Sequence, residues 1–402
     1  MTAFTALLPA VALLAAATAL PPHPAAPAAA AAAAASATRA GSTAAYVVVL
    51  KDSTPRAPAA RALAAEAADA GDEVGAVYDT ALSGFAVRTT AARAAALAAD
   101  SRVASVEPDA EFRISGAQSP APWPLDRIDQ RDLPLDGSYT YRSAGRGVTA
   151  YVVDSGINTL HEEFGGRARA GYNGVFLEGA ADCNGHGTHV AGTLGGSVYG
   201  VAKEVSLVSV KVADCRGAAT LSAILGGLEW LVKDAAKAPS TPAVANMSMG
   251  GTRSYALDAA VARAVSAGIT FTAAAGNSAA NACAGSPSGA PAALTVGATD
   301  SADRWAPFSD YGSCVDLSAP GVSVVSAWKG SATALARASG TSMAAPHVAG
   351  VAALLLAEGL AGGKKKTPAA VSDALLRGAV RGRITGAPVG TSDLLLNVPA
   401  AG

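Results

Sequence analysis

The sequence predicts an α/β protein built on a parallel sheet with helices on both faces, preceded by a small α+β domain. Beyond about residue 125, apolar runs of strand length alternate with helical stretches. Strands that are apolar throughout are typical of parallel sheets covered on both faces. Before that point, residues 46–115 hold a shorter, self-contained set of strands and helices. Between the two lies Ser115–Pro124, where serine, glycine and three prolines interrupt any periodicity.

The larger domain contains five runs that predict buried strands. Apolar and β-branched residues fill these runs, and helices such as Leu221–Lys237 and Leu257–Ala267 lie between them. The predicted strands are Gly147–Val153, Ser206–Val212, Ala243–Met249, Gly268–Ala275 and Ala293–Ala298. In such sheets, binding sites form at the carboxyl ends of the strands. Polar residues at those ends are therefore candidates for function.

The small domain is predicted to be an open-faced α+β sandwich, close to the β-α-β-β-α-β order. A β-branched run, Tyr46–Asp52, predicts its first strand, and the alanine-rich stretch Arg56–Ala70 predicts its first helix. The remaining predicted elements are the strand Gly84–Arg88, the helix Ala91–Ala99, and the strands Val103–Glu107 and Ala110–Ile114.

Composition argues against two classes of function. The 402 residues carry 30 basic and 31 acidic side chains, a net charge of −1, and no basic stripe of the kind that binds nucleic acid. Half the residues are hydrophobic. After the N-terminus, however, no uninterrupted apolar run reaches the roughly 18 residues that a membrane span needs. We therefore expect partners that are neither nucleic acid nor membrane.

The first 45 residues are predicted to be an export signal followed by a spacer. Residues 1–20 are mostly apolar and include a small-residue site at Ala17-Thr18-Ala19. No positive charge precedes this core, since the first arginine is Arg39, so a buried helix remains the alternative. Residues 21–45 are rich in alanine and proline and predict a spacer. The expected location is secreted and extracellular.

The cysteine count suggests two disulfides. An even number of cysteines in an exported chain is typical of a disulfide-bonded protein. Each bridge would stabilise the fold by about 3 to 4 kcal/mol in the chain-entropy model. The sequence allows three pairings, and a zinc site is disfavoured because the chain lacks a C-x-x-C pair. The four residues are Cys183, Cys215, Cys283 and Cys314.

Three polar groups stand where a plain fold would not need one. Asp154 ends a predicted buried strand, at the edge where α/β sites form. His186 and His189 lie three residues apart at a glycine-flanked helix start, and Ser342 follows Gly340 at the start of a small-residue helix. Taken singly, each group has a plainer interpretation. These are a capping or turn aspartate, a structural or metal-binding histidine pair, and a capping serine.

Together, the three groups indicate nucleophilic catalysis. A serine hydroxyl is a poor nucleophile until an imidazole takes its proton. The imidazole in turn needs a carboxylate to hold its tautomer and to stabilise its charged form. The chain offers Asp154, His186 and Ser342 for these parts. A fourth part is Asn277, at the end of a predicted strand, whose amide can donate a hydrogen bond to an oxyanion.

The motifs around these residues resemble the Asp, His and Ser signatures of the subtilisin-like serine peptidases, whose triad follows the same chain order. The resemblance covers nearly the whole chain beyond residue 45. Within the family, the sequence is most similar to the proteinase K branch and its aqualysin-type enzymes. The segments that carry this closer match are Ser119–Trp123, Leu125–Gln130, Asp182–His186 and Tyr311–Asp316.

The resemblance implies a subtilisin-like fold and a role for each residue. His186 matches the catalytic base, and His189 matches its structural neighbour. Ser342 matches the nucleophile, and Asn277 matches the oxyanion donor beside the backbone N–H of Ser342. The implied activity is that of a monomeric serine endopeptidase that cleaves proteins and peptides through an acyl-enzyme. The resemblance also implies that the disulfides join the cysteines in sequence order.

The resemblance assigns the small domain as well. Residues 46–115 are similar to the inhibitory propeptide of the family, which acts as a folding template and a temporary inhibitor. Residues 116–402 would then form the peptidase domain. Self-cleavage would fall near Gly116 or Ala117.

The substrate site is implied in the same way. Family members bind an extended peptide between two edge segments, so that the substrate adds a strand. The matching segments are Gly217-Ala218-Ala219 and Ser248-Met249-Gly250, and Ala274-Ala275-Gly276 walls the primary pocket with them. Apolar walls and no obvious buried acid predict aromatic or large aliphatic residues before the cut. Ala219 in place of a glycine narrows the outer pocket, and Gly285 in place of a tyrosine widens the primary one.

The resemblance further implies structural calcium. Asp316, with the backbone oxygens of Pro291 and Ala293, matches one site of the proteinase K branch, and oxygen ligands suit Ca²⁺. A second set resembles a site of some aqualysin-type relatives. It consists of Asp126, Asp129, Gln130, Asp136 and Ser138. The alternative for both sets is surface acids that cap helices and turns.

Three other functions fit parts of the sequence. A catalytically inactive relative would serve as a binding protein. A metal-dependent hydrolase would use Cys183, His186 and His189. A processing peptidase would have a narrow sequence preference, but the primary pocket shows no acidic cluster to select basic residues, so a broad degradative role is favoured.

Overall fold

The computed structural model describes residues 42–51, 56–80, 82–109 and 116–398. The chain divides into two compact units, Met1–Phe112 and Arg113–Gly402. Most of the predicted signal and spacer, and the predicted strand Ala110–Ile114, lie outside the described residues.

The first unit is a four-stranded antiparallel sheet in the order β2-β3-β1-β4, with its two helices packed on one apolar core. Its elements follow the predicted β-α-β-β-α-β order. They are β1 (Thr43–Leu50), α1 (Arg56–Asp69), β2 (Glu73–Tyr78), β3 (Gly84–Thr90), α2 (Ala91–Ala98) and β4 (Val103–Pro108). The strand β2 was not predicted, because it is an edge strand with mostly exposed residues and therefore lacks an apolar run.

The second unit alternates strands and helices, as the sequence predicts. Its helices are α3 (Trp123–Asp129), α4 (His186–Gly195), α5 (Leu221–Ala236), α6 (Tyr255–Ser266), α7 (Thr341–Ala361) and α8 (Pro368–Gly378). Its strands are β5 (Gly116–Gln118), β6 (Tyr139–Tyr141), β7 (Thr149–Asp154), β8 (Ala168–Asn173), β9 (Ser206–Lys211), β10 (Ala243–Met247), β11 (Gly251–Thr252), β12 (Ile269–Ala274), β13 (Gly285–Ser286), β14 (Leu294–Thr299), β15 (Leu317–Pro320), β16 (Val324–Ala327) and β17 (Leu335–Ala338).

Seven strands form one parallel sheet in the order β15-β14-β12-β10-β7-β9-β8. The five predicted strands are its central members, which confirms the predicted fold class. The edge strands β8 and β15 were not predicted. In β8 (ARAGYN) every residue is exposed or half-buried, so the strand carries no apolar run for sequence reasoning to find.

Helices cover both faces of this sheet. Alternate residues of β7 point to opposite cores, Ala150 and Val152 to one and Tyr151 and Val153 to the other. The first core includes residues of α4, α7 and α8, and the second includes residues of α5 and α6. Because both faces are buried, the central strands are mostly apolar.

The helix α7 is the central helix of the first core. With 21 residues it is long and apolar enough to cross a membrane by composition, but 89 % of its most apolar window is buried inside the fold. It packs against α4 and against strands β10, β12 and β14. A helix that is apolar on every face is typical of such a buried position.

Close approach of α7 depends on Gly350. A Cβ there would lie 2.5 Å from Val201 Cβ and 3.1 Å from the Leu194 carbonyl oxygen. Gly350→Ala is therefore expected to lower the free energy of unfolding by about 1–3 kcal/mol, although alanine favours helices by about 1 kcal/mol. In the control Gly362→Ala, the nearest atom would be 3.5 Å away, and no such loss is expected. Thermal denaturation of the purified variants measures both, and a Gly350→Ala protein as stable as the parent would contradict the packing argument.

Candidate active site

Asp154 is the last residue of β7 and lies at the carboxyl edge of the sheet with 1 % of its surface exposed. Its Oδ1 accepts hydrogen bonds from Nδ1 of His186 at 2.8 Å and from the backbone N–H of Ser155 at 2.7 Å. His186 begins α4, and Gly187 follows it. A Cβ at Gly187 would come within 2.2 Å of the Gly156 carbonyl oxygen and 3.1 Å of Asp154 Cβ. Only glycine therefore lets the helix approach Asp154 this closely.

The contact with Asp154 determines the state of His186. Because a carboxylate only accepts hydrogen bonds, Nδ1 carries the hydrogen and Nε2 is the free acceptor of the neutral ring. Burial lowers the pKa of His186, but attraction to the Asp154 charge and the hydrogen bond outweigh burial, so that the pKa is raised above its usual value. The side chain keeps 31 % of its surface exposed. His186 is thus a base that retains access to a reacting group.

His189, on the same helix, is a structural residue. Its side chain is fully buried, its Nε2 lies 3.1 Å from the Val324 carbonyl oxygen, and its ring packs edge-on against Trp328 with centroids 6.1 Å apart. Burial lowers the pKa of His189 to about 4. A neutral, fully buried ring cannot exchange protons with a substrate, so the two histidines divide as the sequence predicts.

The disulfides join the cysteines in sequence order, which confirms the predicted pairing. The bridges are Cys183–Cys215 and Cys283–Cys314. Because its sulfur is bonded to Cys215, Cys183 offers no thiolate to a metal ion. A metal-dependent hydrolase built on Cys183, His186 and His189 therefore does not fit the structure.

Ser342 lies in the first turn of α7, at the positive end of the helix dipole. Its Oγ donates a hydrogen bond to the Ser248 carbonyl oxygen at 2.9 Å, and the Ser248 hydroxyl donates to the Ser342 carbonyl oxygen at 2.8 Å. In this rotamer the hydroxyl is bonded to Ser248 rather than to His186. Catalytic hydrogen bonds are often formed only in the substrate complex.

A chain of buried polar side chains beneath Ser248 was missed by sequence reasoning. Thr272 Oγ1 donates to Asn246 Oδ1 at 2.8 Å, and Asn246 Nδ2 donates to Ser248 Oγ at 2.9 Å. None of the three side chains is more than 2 % exposed. The available signal was an asparagine within the apolar run Ala243–Met249, since a buried amide needs partners. These hydrogen-bonded side chains connect β12 and β10 to the first turn of α7.

Asn277 is fixed through its amide oxygen, and among the described residues its amide nitrogen has no hydrogen-bond partner. Its Oδ1 accepts hydrogen bonds from the backbone N–H of Thr341 at 2.8 Å and from Thr341 Oγ1 at 3.0 Å. A Cβ at Gly340 would lie 3.4 Å from Asn277 Nδ2 and 3.6 Å from the Ser342 nitrogen. The two nitrogens therefore converge on the same small region beside Gly340. The Asn277 side-chain nitrogen is a donor by its chemistry. The Ser342 N–H can also donate, because an N–H in the first turn of a helix has no partner within the helix.

Two cavities adjoin these residues. One, of about 270 Å³, includes Ser342 in its lining and corresponds to the predicted primary pocket. The other, of about 260 Å³, shares Met249, Gly250 and Gly251 with it. The predicted segments Ser248–Gly250 and Ala274–Gly276 line the primary pocket, and Gly217 and Ala219 line the second cavity. Ala218 lines neither cavity. Its N–H donates to Asp214 Oδ1, and its carbonyl oxygen accepts a hydrogen bond from the Asp214 N–H.

Comparison with known proteins identifies the fold and the chemistry together. Residues 145–393 match the model of the subtilase family, and residues 45–115 match the peptidase inhibitor I9 family. The chain belongs to the subtilase family. Its second unit holds the peptidase fold, and its first unit is an inhibitor-type propeptide domain.

Individual relatives are consistent with this family assignment. The subtilase is 50 % identical over 330 residues to an extracellular serine proteinase of Thermus sp. (strain Rt41A), a match that covers 82 % of this chain and 78 % of the relative. It is 42 % identical over 294 residues to proteinase T of Parengyodontium album, a match that covers 73 % of this chain and 97 % of the relative. The crystal structure of a cold adapted subtilisin-like serine proteinase matches with a TM-score of 0.66 at 49 % identity and covers 70 % of this chain and 100 % of that structure's chain. The predicted family and its proteinase K branch are confirmed, and the protein is a subtilisin-type serine endopeptidase.

The pocket of the subtilase also holds an acid that the sequence did not indicate. Asp310 lines this pocket together with Gly285 and Ser288. Asp310 is half-buried and belongs to the connection between β14 and β15. No motif links Asp310 to Asn277 in the sequence, so only the folded chain shows that they are neighbours.

We expect the subtilase to lose stability as the pH falls from about 6.5, the usual pKa of histidine. Burial lowers the pKa of His189 to about 4 and that of His347 to about 3. Between these values and 6.5 the unfolded chain binds protons that the native protein does not. Stability is therefore full above this window and is lost on acidification through it. In a plot of melting temperature against pH, His347→Gln should flatten this slope. An unchanged slope in that variant would count against a buried neutral His347.

Proposed function

We propose that this subtilase is a secreted endopeptidase that hydrolyses proteins through an acyl-enzyme formed on Ser342. The observation that carries the proposal is the 2.8 Å hydrogen bond between His186 Nδ1 and Asp154 Oδ1. It lies at the start of α4, which packs against the helix that carries Ser342. This arrangement supplies a base and its carboxylate partner on a helix that packs against the helix carrying the hydroxyl.

Each proton in the proposed reaction has a place. Ser342 Oγ attacks the carbonyl carbon of the peptide bond, and its proton passes to His186 Nε2. His186 then gives that proton to the leaving amine as the C–N bond breaks. A water molecule attacks the acyl-enzyme, loses its proton to His186, and releases the acid as Ser342 recovers its hydrogen. The negative charge of Asp154 stabilises the imidazolium in both halves.

The oxyanion is assigned to two donors. Asn277 Nδ2 and the backbone N–H of Ser342 converge beside Gly340, where the oxygen of the tetrahedral intermediate would lie. The hydrogen bonds from Thr341 to Asn277 Oδ1 prevent the amide from flipping. Loss of one such donor costs about 2.7–4 kcal/mol in subtilisin, a member of the same family.

Substrates are proposed to bind as an added strand between Gly217–Ala219 and Ser248–Gly250. The primary pocket would take the side chain before the cut, and its alanine and methionine walls favour aromatic and large aliphatic residues. Its volume of about 270 Å³ suits side chains of that size. We infer broad specificity for unfolded or extended protein segments.

Maturation by self-cleavage is proposed from the inhibitor I9 domain. Residues 46–115 would guide folding and then inhibit the peptidase, and cleavage near Gly116 or Ala117 would release it. Secretion, with residues 1–20 as the signal, is supported by the extracellular Thermus relative.

A calcium ion is proposed at Asp316. Its Oδ2 accepts a hydrogen bond from the Thr295 N–H at 2.7 Å, which leaves Oδ1 for a cation. Burial raises the pKa of Asp316, and a divalent cation would relieve the cost of keeping this carboxylate charged. The backbone oxygens of Pro291 and Ala293 would complete the set, and the ion would stabilise this loop.

A second calcium ion is proposed beside Asp129. Its Oδ2 accepts hydrogen bonds from Thr140, but its Oδ1 is buried without a partner among the described residues. Both carboxylate oxygens of Asp126 accept backbone N–H groups of Asp136 and Gly137, so Asp126 would bind an ion only while keeping these bonds. The unpartnered oxygen of Asp129 is the stronger support for this site.

Ser342→Ala is expected to leave the precursor uncleaved near Gly116 and to abolish labelling by a fluorophosphonate, because both reactions need the Ser342 oxygen as nucleophile. Intact-mass analysis of the purified proteins measures processing and adduct formation together. Ser222→Ala, at an exposed position of α5, is the control and should mature and label like the parent. Maturation of Ser342→Ala on its own, or an adduct elsewhere in the parent, would reject the proposal.

Removal of calcium is expected to lower the melting temperature of the mature enzyme while folded enzyme keeps its turnover. A ligand present at 100 times its Kd stabilises the native state by about 2.7 kcal/mol. Asp316→Asn should remove part of the difference between calcium-loaded and chelated protein. Asp373→Asn, at an exposed position of α8, should not. Equal melting temperatures with calcium and with chelator would exclude both sites.

A further inference from the structure

The primary pocket contains a carboxylate that the proposed mechanism does not use. Asp310 lines the same 270 Å³ cavity as Ser342 and the apolar walls Ala274 and Ala275. It is half-buried. An ion pair at a half-buried position is stronger than one in water.

The position of this carboxylate is held by the backbone. Oδ1 of Asp310 accepts hydrogen bonds from the N–H of Ser278 at 2.8 Å and of Ala280 at 2.9 Å. The Asp310 N–H in turn donates to the Gly276 carbonyl oxygen at 2.9 Å. Three hydrogen bonds thus join Asp310 to the segment that carries Asn277.

The other carboxylate oxygen lies against Gly276, which also lines the pocket. A Cβ at Gly276 would lie 2.1 Å from Asp310 Oδ2, so the absence of a side chain at Gly276 makes room for this oxygen. Gly276 has φ +118°, a conformation that also favours glycine. In the part of the chain that the structure describes, no hydrogen bond reaches Oδ2 and no lysine, arginine or histidine pairs with Asp310.

We propose that Asp310 makes the primary pocket accept lysine and arginine before the cut, in addition to apolar residues. The aliphatic stem of either side chain would pack along Ala274 and Ala275, and its charged end would pair with Asp310 Oδ2, because long basic side chains bury their stems and keep the charge at a polar partner. This inference rests on the proposed function, since it assigns the residue before the cut to this pocket.

A purely structural Asp310 would make the same backbone hydrogen bonds. Asparagine at this position keeps Oδ1 as the acceptor for Ser278 and Ala280 and removes only the charge. Asp310→Asn therefore separates a role in binding basic side chains from a purely structural role. Asp300 is the matched control, because its Oδ1 also accepts two backbone N–H groups, from Ala302 and Arg304, and it does not line the pocket.

The test measures kcat/KM of the mature enzyme on peptide p-nitroanilides that differ only in having Lys, Arg, Phe or Leu before the cut. In Asp310→Asn the ratio of Lys to Phe is expected to fall about three- to tenfold, the effect of one half-buried charge pair. Asp300→Asn should keep the parental ratio. In the parent, the ratio should also fall as salt is raised, because salt screens the pair.

An unchanged ratio in Asp310→Asn, or an equal fall in Asp300→Asn, would overturn the inference. If Asp310→Asn does not fold, as judged by its melting temperature, the salt dependence of the parent decides. A ratio that does not respond to salt overturns the inference. Cleavage after Phe and Leu but not after Lys rejects only the role of Asp310. No cleavage at all, with no fluorophosphonate adduct on Ser342, rejects the proposed function.

Discussion

The packing of α7 against the parallel sheet is the constraint on which the site depends. Ser342 lies in the first turn of this helix, so its position follows from how deeply the helix is buried and how closely it approaches α4. Gly350 permits that approach. The reciprocal hydrogen bonds between Ser342 and Ser248 then fix the position of the helix start relative to the end of β10. A buried helix with a polar start is stable here because its first turn has partners.

Burial and hydrogen-bond partners also give the buried titratable groups different roles. Asp154 is buried and accepts hydrogen bonds from His186 and the Ser155 N–H, and its attraction raises the pKa of His186. Within the described residues, His189 and His347 contact backbone carbonyl oxygens and no carboxylate, and burial lowers the pKa of each. The same residue type thus becomes a base at one position and a neutral packing group at two others.

The primary pocket is assembled from segments that are distant in the sequence. The chain after β10, the end of β12, Gly285 and Asp310 all line it, and hydrogen bonds of both backbone and side-chain groups hold these segments together. Glycine at position 276 leaves space that the Asp310 carboxylate occupies. Specificity at such a pocket therefore depends on contacts between loops more than on the strands beneath them.

The sequence alone determined the fold class, the five central strands, the small domain and the identity of the candidate triad, because apolar periodicity and local motifs carry that information within short windows. It missed the edge strands β2 and β8, whose residues are largely exposed and so lack an apolar run. Only the tertiary structure decided how Asn246 and Thr272 support Ser248 and that Asp310 lines the pocket. These are contacts between residues far apart in the chain. They exist because the sheet brings strand ends and loops together at one edge, and no local pattern records that proximity.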